Sequence, residues 1–173
     1  MKKLFSREEI EKAVKKLAAS IERDFEGERI VFVCLLKGSF MFTSDLVRHV
    51  KNPSRVDFIR ASSYGSGTRS GGKVAVTKGI EENIEGENVI IVEDIIDSGH
   101  TLKRVKEILS LSNPKTIKIC ALLDKKARRE VEIEGDYVGF AMTDGFVVGY
   151  GIDYAEQYRN LPEIYVMEEE GEA

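Results

Sequence analysis

The sequence predicts an α/β protein built on a doubly wound, mainly parallel sheet flanked by helices. Three apolar runs rich in β-branched residues, at 30–36, 89–92 and 116–123, are typical of strands buried on both faces. Segments with apolar residues at helical spacing follow the first two runs, and this alternation of strand and helix favours parallel strands. A length of 173 residues accommodates one such domain with a full core.

The composition excludes several classes of protein. A hydrophobic fraction of 42% is typical of a soluble globular chain, and a net charge of −4 argues against a general nucleic-acid binder. The chain has no apolar stretch of membrane-spanning length and no signal-peptide pattern, so we expect a cytoplasmic protein without membrane or nucleic-acid partners. Cys34 and Cys120 lie in apolar runs, which favours two buried thiols over a disulfide.

The first part of the chain predicts a helix, a strand and a second helix. Ser6 and Glu9 form a capping box, and an apolar stripe continues from there to Phe25. The strand at 30–36 ends in the basic turn Lys37-Gly38-Ser39, and a helix then runs to Asn52-Pro53. Such a turn is either an anion site at the carboxyl edge of the sheet or an ordinary connection with Lys37 in solvent.

The remaining elements follow the same alternation. Strands are predicted from Arg55 to Ala61 and from Val74 onward, and a helix from Leu102 to Leu111. Residues 67–73 between these strands have P-loop spacing, but a strand follows instead of a helix, and Val74 stands where Ser or Thr is needed. Short strands are expected at 137–140 and 146–150.

The chemistry of the chain concentrates after the strand at 89–92. Glu93 and Asp94 are adjacent, Asp97 follows, and a small donor-rich turn, Ser98-Gly99-His100-Thr101, precedes the next helix. The hydroxyls and first-turn amides suit a phosphate, whereas the acids suit sugar hydroxyls, a cation or a proton. These residues together indicate a phosphorylated sugar, and the alternative is an acidic helix-capping turn.

This stretch closely resembles the ribose-phosphate signature of the type I phosphoribosyltransferases, which is two acids, two apolar residues and Asp-(Ser/Thr)-Gly-x-Thr. Leu36-Lys37-Gly38 resembles the pyrophosphate loop of the hypoxanthine-guanine branch, where the Leu–Lys peptide can be cis. Ser63-Tyr64 resembles the start of the flexible loop that closes over the active site. Matching spacings from Lys125 to Phe146, Asp153 and Arg159 extend the resemblance over nearly the whole chain.

The resemblance implies a purine salvage transferase in a single domain, residues 1–173. Such an enzyme joins hypoxanthine and/or guanine to 5-phosphoribosyl 1-pyrophosphate, giving IMP or GMP and pyrophosphate. The family fold adds a small hood formed by the C-terminal third, about 125–173, and the N-terminal segment. The implied partners are these small-molecule substrates, Mg²⁺ as cofactor, and further copies of the chain in a homodimer or homotetramer.

The resemblance also implies roles for individual residues. Asp97 is the general base or the partner of the purine ring nitrogen. The ribose and its 5′-phosphate are bound by Glu93, Asp94, Ser98, Gly99, His100 and Thr101, and pyrophosphate by Lys37, Gly38 and Arg159. For the purine, Lys125 donates to the 6-oxo group, Phe146 stacks on the ring and Val147 offers its backbone. Metal binding is implied for Glu93, Asp94 and Asp153.

Two departures and two alternatives accompany this interpretation. Ser98 replaces a frequent Thr, and the turn at 143–145 lacks a proline often found there. Arg128 and Arg129, in a basic segment after the last buried strand, are expected in solvent. The alternatives are a phosphoribosyltransferase for adenine, uracil or orotate, and a regulator that senses phosphoribosyl pyrophosphate; Lys125 and Asp97, respectively, argue against them.

Overall fold

A computed structural model describes residues 1–63 and 74–167 of the chain. The predicted flexible loop lies outside the described residues, apart from the backbone of Ser63 at its start; Tyr64 and the P-loop-like spacing at 67–73 are not described. None of the helices in the described ranges combines the length and hydrophobicity needed to cross a membrane.

The described residues form two sheets and three α-helices. The strands are β1 (Lys2–Phe5), β2 (Ile30–Leu36), β3 (Ser54–Ser63), β4 (Val74–Lys78), β5 (Asn88–Ile96), β6 (Thr116–Asp124), β7 (Tyr137–Ala141), β8 (Phe146–Val148) and β9 (Ile164–Met167). The helices are α1 (Arg7–Asp24), α2 (Phe40–His49) and α3 (His100–Ser110), and a short 3₁₀ helix covers Lys126–Arg128.

The main sheet has the strand order β4-β3-β2-β5-β6-β7. All neighbouring strands pair in parallel except β3 and β4, which pair antiparallel. Side chains of α1 and α2 share one buried apolar cluster with one face of the sheet, and those of α3 share another with the opposite face. Helices therefore cover both faces, which confirms the predicted doubly wound, mainly parallel sheet.

The hood is a separate antiparallel sheet with the order β1-β9-β8. It combines the N-terminal segment with the C-terminal third, as the resemblance implied. The Phe5 ring of β1 stacks on Phe140 of β7, with centroids 3.9 Å apart and planes 19° apart, and so joins the two sheets. Because β7 pairs in parallel with β6, residues 137–141 belong to the main sheet and the hood sheet takes its C-terminal strands from 146 onward.

Several local predictions are confirmed and some boundaries move. The capping box forms, with the Ser6 N–H donating to Glu9 Oε2 at 2.8 Å and the Glu9 N–H to Ser6 Oγ at 3.3 Å. Cys34 and Cys120 are buried and free, as expected. Helix α2 ends at His49, earlier than predicted, and the backbone is already extended at Val50.

Candidate active site

A cleft of about 240 Å³ opens where β2 and β5 end side by side at the carboxyl edge of the main sheet. Two loops that are far apart in sequence meet there, the basic turn after β2 and the acidic stretch after β5. The predicted site residues that line the cleft are Lys37, Gly38, Glu93, Asp94, Asp97, Ser98, Gly99 and Thr101. The parallel pairing of the two strands is what brings these residues together.

The acid pair lies at the end of β5. Glu93 is 8% exposed and accepts the Asp94 N–H at 3.1 Å, while Asp94 Oδ1 accepts the Ile95 N–H at 2.9 Å. Burial, and then the neighbouring charge of Asp94, raise the pKa of Glu93 well above its usual value. A cation beside the pair would relieve both effects, and two carboxylates supply the hard oxygen ligands that Mg²⁺ prefers.

The described residues hold no cluster of three or more His, Cys, Asp or Glu side chains arranged around one metal position. Mg²⁺ is commonly held by one or two carboxylates together with substrate oxygens and water, so this donor set still fits it. Asp153 lies elsewhere, on the loop after β8, where Arg159 Nη2 is 2.7 Å from its Oδ1.

Gly38 lies directly against the acid pair. A Cβ atom at this position would be 1.7 Å from Asp94 Oδ2, so no larger residue fits without moving that carboxylate. The preceding Leu36–Lys37 peptide is cis, as the resemblance allowed. The Gly38 backbone is therefore in close contact with Asp94, while the Lys37 side chain is exposed and forms an ion pair with Glu156.

The phosphate turn, residues 98–101, leads into α3. Gly99 is the N-cap at φ +89°, and the first amide N–H groups of a helix have no partner within the helix. Ser98 and Thr101 line the cleft beside them. The His100 side chain is not part of the cleft lining; its Nε2 lies 2.8 Å from Glu130 Oε2, which leaves its backbone N–H for a phosphate.

Asp97 faces the cleft with a buried oxygen, Oδ1, that accepts no aligned hydrogen bond within the described part of the chain. Arg128 Nε lies 3.0 Å from this oxygen as an ion pair, and Arg128 Nη1 lies 3.5 Å from Asp144. Arg128 is exposed, as expected, but it is paired with two carboxylates.

The prediction that Arg129 lies in solvent is wrong. Its side chain is 14% exposed and forms an ion pair with Asp124, which is 1% exposed, and its Nη1 donates to the backbone carbonyl of Asp97. A carboxylate at the end of the buried strand β6 needs a cationic partner, and Arg129 is close enough in sequence to provide it.

The purine-binding candidates lie around the end of β6 and on β8. Lys125 is 5% exposed; burial lowers its pKa, and the charge of Asp97 opposes that shift. Phe146 is 50% exposed and meets Tyr154 edge-on, with centroids 5.3 Å apart. Val147 is buried. A buried ammonium near Asp97 and an exposed aromatic face are the groups that a polar, planar ring requires.

The loop after β8 brings Arg159 to the pyrophosphate side. Arg159 Nη1 donates to the Gly151 carbonyl at 2.7 Å, while its Nε is buried without a hydrogen-bond partner among the described residues. A Cβ at Gly151 would lie 2.2 Å from the Gly38 carbonyl, so this loop packs on the turn after β2. Sequence reasoning missed Glu156, whose Oε2 is 3.0 Å from Lys37 Nζ and 3.4 Å from Arg159 Nη2.

Sequence comparison shows the family to which the chain belongs. Residues 1–155 match the family model described as the phosphoribosyl transferase domain. The chain is 52% identical over 156 residues to the hypoxanthine phosphoribosyltransferase of Salmonella typhimurium, covering 89% of this chain and 88% of that protein. It is 45% identical over 170 residues to the hypoxanthine-guanine phosphoribosyltransferase of Aquifex aeolicus, covering 98% and 96%.

Solved structures show the same similarity in three dimensions. A crystal structure of a hypoxanthine-guanine phosphoribosyltransferase from Bacillus anthracis, with a HEPES molecule in its active site, superposes with a TM-score of 0.93. It is 54% identical to this chain, with coverage of 96% of this chain and 98% of that one. A hypoxanthine phosphoribosyltransferase from Staphylococcus aureus gives a TM-score of 0.93 at 42% identity, with 96% and 91% covered.

Proposed function

This chain belongs to the phosphoribosyltransferase family, and from that premise we propose that it joins hypoxanthine and/or guanine to 5-phosphoribosyl 1-pyrophosphate. The products are IMP or GMP and pyrophosphate, which is a reaction of purine salvage. The observation that carries the proposal is the single cleft in which the acid pair, the phosphate turn and the turn after β2 meet beside Asp97.

The reaction breaks the bond from the anomeric carbon to pyrophosphate and forms a bond from that carbon to a purine ring nitrogen. Positive charge develops on the carbon while the leaving group departs as an anion, and the nitrogen loses its proton. Asp97 lines the cleft, and its carboxylate, whose Oδ1 is ion-paired with Arg128 in this structure, would accept that proton. The phosphate turn would hold the 5′-phosphate with neutral hydroxyl and amide donors.

The leaving pyrophosphate would be bound by the basic side chains near the acid pair. Lys37 and the backbone at Gly38, which line the cleft, would face it together with the guanidinium of Arg159. Glu93 and Asp94, with Asp153 for a second ion, would hold Mg²⁺, which when bound neutralises part of the charge on pyrophosphate. Glu156 would release Lys37 and Arg159 to the incoming anion.

The base would be read by the groups around Lys125. Its ammonium donates to a 6-oxo group, Phe146 offers an exposed ring for stacking, and the Val147 backbone is placed to meet the exocyclic edge. A purine with a 6-amino group would present a donor to a donor. This is the support for a 6-oxopurine and against the alternative substrates adenine, uracil and orotate.

We also propose that residues 1–173 work as one domain, since the hood sheet needs strands from both ends of the described chain. The apolar side chains of Val56 and Phe58 are 38% and 40% exposed two positions apart on β3, which supports assembly into a homodimer or homotetramer. Light scattering on the purified protein measures that mass directly. Two unpaired cysteines suit the reducing cytoplasm, where we place the enzyme.

The function is tested by incubating the protein with phosphoribosyl pyrophosphate, Mg²⁺ and hypoxanthine, guanine, xanthine or adenine in turn. We expect nucleotide and pyrophosphate from hypoxanthine or guanine, and loss of the reaction when a chelator removes Mg²⁺. Tight binding of phosphoribosyl pyrophosphate without turnover of any base would instead indicate the regulator, and turnover of adenine alone would indicate a different transferase.

A further inference from the structure

A short segment after the 3₁₀ helix lies behind the phosphate turn. We call residues 129–133 the supporting segment. Its Glu130 N–H donates to the Ser98 carbonyl at 3.0 Å, and Arg129 Nη1 donates to the Asp97 carbonyl. The side chains of Arg129 and Ile133 press on Gly99, where a Cβ would lie 3.1 Å from Arg129 Cδ and 2.5 Å from Ile133 Cγ2. The segment thus contacts three successive residues of the site.

These two carbonyl contacts fix the direction of the amides beside them. In a planar trans peptide the C=O and the next N–H point to opposite sides. Since the carbonyls of Asp97 and Ser98 are held toward the supporting segment, the N–H groups of Ser98 and Gly99 face away from it. Both residues line the cleft on that other side. A flipped peptide would turn a carbonyl dipole toward the anion and repel it.

Arg129 is itself held in place by the main sheet. Its partner Asp124 is the last residue of β6, pairs in register with Ile96 of β5 and is 1% exposed. The planar guanidinium fork bonds the Asp124 carboxylate through Nη2 and the Asp97 carbonyl through Nη1 at the same time. A lysine ammonium has no such fork. The buried Asp124 carboxylate therefore fixes the orientation of the Arg129 side chain, and Arg129 in turn fixes the orientation of the Asp97 carbonyl in the phosphate turn.

We propose that Arg129, held by Asp124, is a positioning residue that presets the amides of the phosphate turn for the ligand's 5′-phosphate. This inference rests on the proposed function, since it concerns the phosphate subsite of the same cleft. Neither residue touches the substrate, so the effect should depend on whether a ligand carries the phosphate.

The test compares the affinity for IMP with the affinity for inosine, which lacks the phosphate, by titration calorimetry. Removing Arg129 alone would leave Asp124 buried without a partner, so the main variant is the uncharged pair Asp124→Asn with Arg129→Met. We expect IMP to bind roughly 10-fold more weakly or worse, because a charge-assisted hydrogen bond to the turn is lost. The affinity of this variant for inosine should stay within about twofold of that of the unmodified protein. The control is Lys126→Met, because the Lys126 side chain forms only an exposed pair with Glu134, and its affinities for IMP and for inosine should both stay within about twofold.

A second variant keeps the test decisive if the double variant does not fold. Arg129→Lys retains the charge beside Asp124 and lacks the fork, so IMP affinity should still fall several-fold while inosine affinity stays. Unchanged IMP affinity in a folded variant, or equal losses for IMP and inosine, would overturn the inference. If the unmodified protein binds no IMP at all, the proposed function fails first, and the two failures are thereby distinguished.

Discussion

At the scale of single residues, the proposed chemistry depends on Asp97. Asp97→Asn is nearly isosteric and removes the proton acceptor, so turnover of hypoxanthine should fall by about 10²–10⁴-fold. The matched control is Asp144→Asn, because Asp144 is paired with the same Arg128 but does not line the cleft. Steady-state kinetics on both variants measures the difference. Near-normal turnover in Asp97→Asn would remove this residue from the proton transfer.

In the proposed function, base selection depends on the buried ammonium of Lys125. A 6-amino purine would leave this cation without an acceptor inside the site, and sites of this kind reject such analogues by roughly 10⁴-fold. Lys125→Ala should therefore reduce kcat/KM for hypoxanthine far more than any residual reaction with adenine. The neighbouring Lys126→Ala serves as the control, because that side chain is exposed. A preference for adenine in the unmodified enzyme would contradict the assignment.

Residue types and spacing indicated the acid pair, the donor-rich turn and the basic turn, and residues of all three line the cleft, although the His100 side chain does not. Acids at a strand end, a donor-rich turn and a basic turn each have a chemical meaning that can be read locally. The pairing of Arg129 with Asp124 could not be read this way, because Asp124 is placed only by the register of β6 on β5. An acid at the end of an otherwise apolar strand was the available signal. Glu156 carried no such signal, since its partner Lys37 is 119 positions away.

At the scale of elements, the side chain of Asp57, on β3, accepts hydrogen bonds from the turn that precedes β5 and so connects the two. It is 4% exposed, and its carboxylate accepts the backbone N–H groups of Glu81 and Glu82 at 2.6 and 2.7 Å. Burial acts to raise the pKa of Asp57, but these bonds and that from the Phe58 N–H together lower it below its usual value. The Asp57 carboxylate therefore stabilises the fold at pH values above its pKa in the unfolded chain. This stabilisation is lost as the pH falls through the lowered pKa of the folded state.

We expect Asp57→Asn to reduce the free energy of unfolding by about 1–3 kcal/mol at pH 7, because an ionised acceptor of several N–H groups is lost. The difference from the unmodified protein should shrink as the pH is lowered through the Asp57 pKa. Urea denaturation at a series of pH values measures it, with Glu85→Gln, an exposed acid of the same turn, as the control. A difference that stayed constant at all pH values would show that the charge is not responsible.

The strongly periodic helices and strands were predictable from the sequence, but the strands with which they pair were less predictable. α1, β2, β5 and β6 follow from capping, periodicity and β-branched runs. The strand predicted at 137–140 was grouped with the hood because the family resemblance assigned about 125–173 to it, whereas its hydrogen bonds with β6 place it in the main sheet. Short strands carry too little periodicity to reveal which sheet they join.

At the scale of the whole molecule, the hood and the main sheet are coupled through the chain's N-terminal strand. β1 pairs with β9, β9 pairs with β8, and β8 carries the purine-binding candidates Phe146 and Val147. Phe5 and Phe140 are both partly buried against the apolar cluster under α1 and α2. The Phe5–Phe140 stack is therefore one of the contacts that join the hood to the main sheet, beside the buried hood residues Val147 and Ile164 of the same apolar cluster.

Phe5→Ala removes that stack, and we expect it to lower the free energy of unfolding by about 1–3 kcal/mol, since a partly buried aromatic pair is lost. In the proposed site the hood strand β8 contacts the base through Phe146 and Val147, whereas the main sheet binds the sugar phosphate. KM for hypoxanthine should therefore rise several-fold while KM for phosphoribosyl pyrophosphate changes little. Leu111→Ala is the control, as this apolar side chain is 81% exposed just beyond α3. Initial rates with each substrate varied in turn separate the two constants. Equal increases in both would mean that the stack stabilises the protein as a whole and does not set the position of the hood.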